Sequence, residues 1–244
     1  MFSDTLLARL KKAYTVVVLT GAGISAASGV PTFRGENGLW KKFRPEKLAN
    51  FYTFSQNPEL VWEWYQWRRE LIYKVKPNLA HYALVDFENI FPEFCLITQN
   101  IDNLHQEAGN KKIIELHGNI MRNKCSSCGK PYEGDFDLKN GIPKCSDCGE
   151  LIRPDVVWFG EFLPQEAIQK AQEMAMASEV FFSIGTSAVV EPAASLPYIA
   201  KGNGAYIVEI NIEKTPLTSS ADEFLQGAAD KILPELVIEI NKLR

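Results

Sequence analysis

Short apolar runs, rich in β-branched and aromatic side chains, recur along the chain and each stops at small or polar residues. The clearest are Val16-Val17-Val18-Leu19, Cys95-Leu96-Ile97-Thr98, Val180-Phe181-Phe182-Ser183-Ile184 and Tyr206-Ile207-Val208-Glu209-Ile210. They lack apolar-polar alternation, which predicts strands covered on both faces, and helical patterns separate them. The fold class expected is therefore α/β, a Rossmann-type parallel sheet wrapped by helices. Ligands on such sheets bind beyond the carboxyl ends of the strands. The residues found there are Gly21-Ala22-Gly23, Gln99-Asn100, Gly185-Thr186-Ser187 and Asn211, so four strand ends should converge on one crevice.

A 3.6-residue period governs the stretch that begins at Asn57-Pro58. On a 100° wheel Leu60, Val61, Trp64, Tyr65, Trp67, Leu71 and Ile72 form one apolar arc, with Glu63, Gln66, Arg69 and Glu70 outside it. Arg68 falls inside the arc, and Tyr65 lies three residues earlier on the same face. An unpaired buried charge is costly, and a guanidinium is shaped to bind a carboxylate through two hydrogen bonds. An internal ion pair or a snorkelling stem would also account for Arg68.

Between about Asn119 and Arg153 the pattern breaks around Cys125-x2-Cys128-x16-Cys145-x2-Cys148. Two CxxC pairs at this separation match a tetrahedral structural zinc site, in which four thiolates leave no open position for a substrate. One structural zinc per chain is expected, and the chemistry belongs elsewhere. The fifth cysteine, Cys95, reads as a buried strand thiol. The expected organisation is a large Rossmann-type domain of residues 1–35, 81–118 and 154–244. A small domain of residues 36–80 and 119–153 would combine a helical module with the zinc ribbon.

Composition narrows the partners. A net charge of −4 over 244 residues argues against direct nucleic-acid binding. No apolar run approaches the roughly 18 residues of a membrane span. A cytoplasmic location is expected, and no oligomer is implied.

The first strand runs into Thr20-Gly21-Ala22-Gly23-Ile24-Ser25-Ala26, a glycine-rich turn whose backbone N–H groups could cradle a pyrophosphate. A dehydrogenase would place a ribose-binding acid at the end of a second strand about 20 residues later. The chain instead continues Ser28-Gly29-Val30-Pro31-Thr32-Phe33-Arg34-Gly35, better suited to a loop over a cofactor, with Arg34 on a phosphate.

Several motifs occur together: GAGISAASGVPTFRG at 21–35, TQNIDNLH at 98–105, HG at 117–118, the four cysteines, VVWFGE at 156–161 and GTS at 185–187. In this order, across almost the whole chain, they resemble the sirtuins, NAD-dependent protein-lysine deacylases. The resemblance implies that NAD is a co-substrate, and that an acylated lysine of a protein or peptide enters the same cleft from the opposite side. The acyl oxygen would attack C1′ of the nicotinamide ribose, nicotinamide would leave, and the acyl group would end on ADP-ribose. His117 matches the general base, for which an imidazole titrating near neutrality is suited. Asn100 and Gln99 match residues that hold the ribose hydroxyls and an ordered water. Asp102 and the Ile101 backbone match the carboxamide pocket, and Phe33 matches a shield over the reacting carbon. Gly21, Ala22, Gly23, Ser25, Arg34, Trp40, Gly185, Thr186, Ser187, Asn211, Ile212, Glu213 and Ala229 match other cofactor-lining positions. His81 reads as a structural histidine, and His105 as one that serves its loop.

On the substrate side, the Val157 carbonyl would receive the acyl-lysine amide hydrogen and Phe159 would wall an apolar tunnel. The spacing Tyr65-x-x-Arg68, with Trp158, resembles the sirtuin branch that removes succinyl, malonyl and glutaryl groups, and implies desuccinylase and deacetylase activity together. Ala27 and Glu191 depart from that branch's pattern. The alternatives are mono-ADP-ribosyl transfer to a protein, which uses the same C1′ activation, and a non-catalytic NAD or ADP-ribose sensor.

Overall fold

The computed structural model describes residues 2–32, 48–134 and 138–243. In chain order their main elements are α1 (Asp4–Lys12), β1 (Thr15–Thr20), a 3-10 helix (Ala22–Ser28), α2 (Phe51–Gln56), α3 (Pro58–Tyr73), α4 (Leu79–Ile90), β2 (Glu93–Thr98), α5 (Leu104–Ala108), β3 (Ile113–Glu115), β4 (Gly118–Cys125), β5 (Pro131–Tyr132), β6 (Ile152–Val156), α6 (Gln165–Ala177), β7 (Val180–Ile184), α7 (Leu196–Gly202), β8 (Tyr206–Asn211), β9 (Glu223–Gln226) and α8 (Ala229–Leu243).

Six strands form one all-parallel sheet in the order β3-β2-β1-β7-β8-β9. This is the Rossmann order, with its switch point between β1 and β7. The continuous apolar runs have a direct cause. Val16 and Val18 pack into a cluster with Leu6, Leu84 and Leu236, from helices on one face, whereas Val17 and Leu19 pack with Ala171 and Leu196 on the other. β3 and β9 escape the sequence pattern because they are short edge strands with only one buried residue between them, Ile114.

β4 pairs antiparallel with β5 and β6 in a separate three-stranded sheet. A third apolar cluster joins this sheet to α3 through Val61, Trp62, Tyr65, Ile120, Ile152 and Trp158. α3 starts at Asn57, whose side chain accepts from the Leu60 N–H, with Pro58 in the first turn.

Its buried face is rotated from the expected arc. Leu60 and Trp67 are exposed, while Trp62 and Arg69 are buried. Arg69 tolerates burial because its Nε and Nη2 donors are satisfied. Nε donates to the Ile120 carbonyl at 2.7 Å, and Nη2 donates to the Arg122 carbonyl at 3.2 Å and to Asn123 Oδ1 at 2.6 Å. Its Cζ also lies 5.3 Å from the Trp62 ring centroid. A wheel scores side-chain polarity and cannot see acceptors offered by a neighbouring strand. Among the described residues no helix is long and apolar enough to cross a membrane.

Candidate active site

At the switch point the loops after β1 and β7 come into backbone contact. The Gly23 N–H donates to the Gly185 carbonyl at 2.8 Å. A Cβ on Gly23 would lie 2.7 Å from Gly185 Cα, and one on Gly185, whose φ is +60°, would lie 2.5 Å from Ile24 N. Only glycine fits either place. The turn after Gly21 enters a 3-10 helix, with Ala22 as its first residue, instead of an α-helix. Gln99 Nε2 donates to Thr186 Oγ1 at 3.0 Å and Asn211 Nδ2 to the Thr186 carbonyl at 2.8 Å, which ties the ends of β2, β7 and β8 together. Ser187 follows directly, Ile212 and Glu213 are exposed just beyond β8, and buried Ala229 opens α8. Phe33, Arg34 and Trp40 lie outside the described residues.

Beneath this rim lies a buried polar network. Ser25 Oγ donates to Asp102 Oδ2 at 2.7 Å, and the Leu104 N–H donates to Asp102 Oδ1 at 3.1 Å. Asn100 Nδ2 donates to the Gly21 carbonyl at 3.1 Å and to Ser25 Oγ at 3.3 Å. Burial raises the Asp102 pKa, with the Ser25 and Leu104 donors and the positive charge of Arg68 opposing. The Ile101 carbonyl accepts from the Ile120 N–H.

His81 and His105 adjoin the network, their rings tilted against each other with centroids 4.9 Å apart. His81 Nδ1 accepts from the Asn78 N–H at 3.2 Å, so the ring proton sits on Nε2, 3.4 Å from Ser25 Oγ. The Asn78-x-x-His81 spacing of a capping box is the sequence signal for this placement. His105 Nε2 lies 3.0 Å from Thr20 Oγ1.

Burial pushes the His81 pKa down to about 4 and lowers that of His105 well below its usual value. An unfolded histidine binds a proton near pH 6.5, whereas folded His81 does so only near 4. Between these values the unfolded state holds the extra proton, so stability is full above about pH 6.5 and declines as pH falls. In urea titrations wild type is expected to lose up to about 1.4 kcal/mol per pH unit more than His81→Gln across this window. Parallel pH dependences would refute the assignment.

His117 bridges β3 and β4. Its Nδ1 lies 2.9 Å from the Gln99 carbonyl oxygen, which can only accept, so Nδ1 carries the proton and Nε2 keeps its lone pair. Burial lowers the His117 pKa, with the Gln99 hydrogen bond opposing. The following residue, Gly118, has φ +78°, and a Cβ there would lie 2.2 Å from the Asp155 carbonyl. The Val157 N–H donates to the His117 carbonyl at 2.9 Å, so the start of β4 and the segment after β6 are held side by side.

The four cysteine sulfurs lie within 4.8 Å of one another, and none forms a disulfide. Cys125 and Cys148 Sγ are 3.3 Å apart, and Cys128 and Cys145 Sγ 3.7 Å. Tetrahedral zinc with Zn–S near 2.3 Å requires separations of about 3.8 Å. The donor set therefore fits one structural zinc.

A profile of the Sir2 family matches residues 21–192. The chain belongs to the Sir2 family. A relative from Aquifex aeolicus (strain VF5), named NAD-dependent protein deacylase, is 56% identical over 208 residues, covering 85% of this chain and 87% of its own length. A solved Sir2 homologue in complex with NAD is 46% identical, with TM-score 0.93 and coverage of 100% and 96% of the two chains. A solved Sir2 complex with a p53 peptide and NAD+ is 35% identical, with TM-score 0.88 and coverage of 99% and 100%.

In this Sir2 chain the segment after β6 adjoins α3. The Trp158 Nε1–H donates to Tyr65 Oη at 2.9 Å, and both side chains are buried. Arg68 is also buried, its Cζ 4.9 Å from the Trp64 ring centroid and 5.6 Å from that of Tyr65. Arg153 lies over the Trp158 ring, with Cζ 3.2 Å from the ring centroid, and pairs with Glu161. Phe159 is half exposed. Glu191 is exposed and accepts from Ser195 Oγ at 2.6 Å. The sequence alone missed Arg153 and the link between Trp158 and Tyr65, because 93 residues separate the bonded pair.

Proposed function

We propose that this Sir2 chain is an NAD-dependent protein-lysine deacylase whose acyl pocket favours groups ending in a carboxylate. The observation that carries the catalytic reading is the His117 tautomer. Its proton is committed to the Gln99 carbonyl, and burial keeps the ring neutral near pH 7, so Nε2 can accept a proton from a ribose hydroxyl. Bound NAD supplies a ribose carbon from which nicotinamide departs and the hydroxyl on which the acyl group ends.

The chain's own residues do the positioning. The glycine contact holds the β1 and β7 loops together at the switch point of the sheet, where a pyrophosphate would bind. Asn211 and Glu213 would hold the adenosine end, and Asp102 with the Ile101 N–H would hold the carboxamide. Asn100, held by Gly21 and Ser25, would bind the ribose. The Val157 carbonyl and Phe159 receive the acyl-lysine.

For the acyl end, Arg68 supplies a cation and Tyr65 a phenol on one face of α3, a pairing suited to a carboxylate. The test is nicotinamide release from NAD with one peptide in acetyl and succinyl forms. Arg68→Met is expected to lower kcat/KM on the succinyl peptide by one to two decades, the loss of a charge-assisted contact of roughly 1.5 to 3 kcal/mol. Acetyl turnover should fall much less. Equal effects on both peptides would remove the acyl preference, and absence of acyl-dependent nicotinamide release in wild type would remove the deacylase reading.

A further inference from the structure

We infer that Trp158 is a positioning residue for acyl selectivity: its indole N–H holds the Tyr65 phenol so that the phenolic proton is presented to the acyl carboxylate. The inference rests on the carboxylate preference proposed above and adds the device that enforces it.

Hydrogen-bond direction carries the argument. An indole N–H can donate and has no acceptor. At 2.9 Å from Tyr65 Oη, it obliges the phenol oxygen to accept. The phenol's own proton must then point elsewhere, and no acceptor for it is found among the described residues. Arg68, the charged neighbour on the same helix, is a donor only and cannot take it. Tyr65 is fully buried, so water does not freely complete the pair. The group that fits is an anionic oxygen able to accept from a phenol and a guanidinium together. Burial also raises the Tyr65 pKa, which keeps that proton in place.

The indole is itself held rigidly. The Arg153 guanidinium lies over one face, the Phe54 ring centroid is 5.1 Å away, and the Trp158 backbone N–H donates to Glu161 Oε2 at 2.8 Å. Arg153 in turn pairs with Glu161. The ring has little freedom to turn its N–H from Tyr65. Phenylalanine at position 158 would keep an aromatic ring there but remove the donor, and the phenol could then rotate its proton away from the pocket.

The test is the ratio of kcat/KM on succinyl and acetyl forms of one peptide, a readout that partial misfolding does not shift because both substrates sample the same active molecules. Trp158→Phe is expected to lower this ratio about 5- to 20-fold. Tyr65→Phe should lower it at least as much, and the double variant no further than Tyr65→Phe alone, because the indole acts only through the phenol. A ratio kept within twofold by Trp158→Phe, or a double variant whose losses multiply, overturns the inference. So does Tyr65→Phe with an unchanged ratio, a result available even if Trp158→Phe fails to fold. Loss of the ratio in Arg68→Met with retention in Trp158→Phe sinks the inference alone, whereas retention in both sinks the acyl preference with it.

Discussion

Replacement of His117 by alanine is expected to lower acyl-peptide turnover by about three orders of magnitude, within the range typical of a lost general base. NAD affinity should change only a few-fold. The physical reason is the separation of tasks in the crevice. The glycine contact, Thr186 and Asn211 are organised by strand ends and do not depend on the imidazole, whereas among the described residues no other group at the start of β4 is poised with a free nitrogen lone pair. The wild-type rate should also carry an acid limb below pH 6.5, because burial lowers the His117 pKa and only the neutral ring can accept a proton. Nicotinamide release measured from pH 5 to 8, with calorimetric titration of NAD, checks both statements. Retention of more than a tenth of wild-type turnover in His117→Ala would show that the proton goes elsewhere.

Removal of zinc is expected to abolish activity without dissolving the parallel sheet. Cys125 and Cys145 are buried while Cys128 and Cys148 are exposed, so the ion would close a module with few other means of holding its loops. Structural zinc in small modules contributes on the order of 10 kcal/mol of folding free energy. The loss reaches the crevice through two strands. β4 begins at Gly118, directly after His117, and β6 leads into Val157, which donates to the His117 carbonyl. Unpairing β4 from β6 would release both cleft segments. A chelator should release one zinc equivalent per chain, lower turnover by more than about 100-fold and shift the fluorescence of Trp62 and Trp158, with far-ultraviolet helicity largely retained. Cadmium or cobalt should restore activity, since a closed thiolate site acts as a scaffold and not as a Lewis acid. A zinc-free chain with wild-type turnover would overturn this account.

The cysteine module is legible in the chain alone because ligand spacing is a local property: two CxxC pairs and the gap between them already constrain the geometry. The four interior strands are legible for a similar reason, since Val16–Leu19 and Val180–Ile184 must be covered on both faces and a doubly wound parallel sheet covers them. The short edge strands and the rotation of α3 are hidden. Arg69 counts as polar on a wheel, yet it is buried where Ile120, Arg122 and Asn123 happen to offer acceptors. His81 carries only a capping-box spacing, and nothing local shows that the same ring reaches Ser25.

The sequence by itself determined the class of sheet, the glycine-rich turn, the metal module and the residue types brought to the crevice, because strand burial and ligand spacing act over a few residues to a few tens. Only the tertiary structure decided which histidine nitrogen keeps its lone pair and which hydroxyl must turn its proton away from an indole donor. Those outcomes depend on hydrogen-bond partners such as Gln99 for His117 and Trp158 for Tyr65. Such partners are set by packing between distant segments, and no periodicity along the chain encodes them.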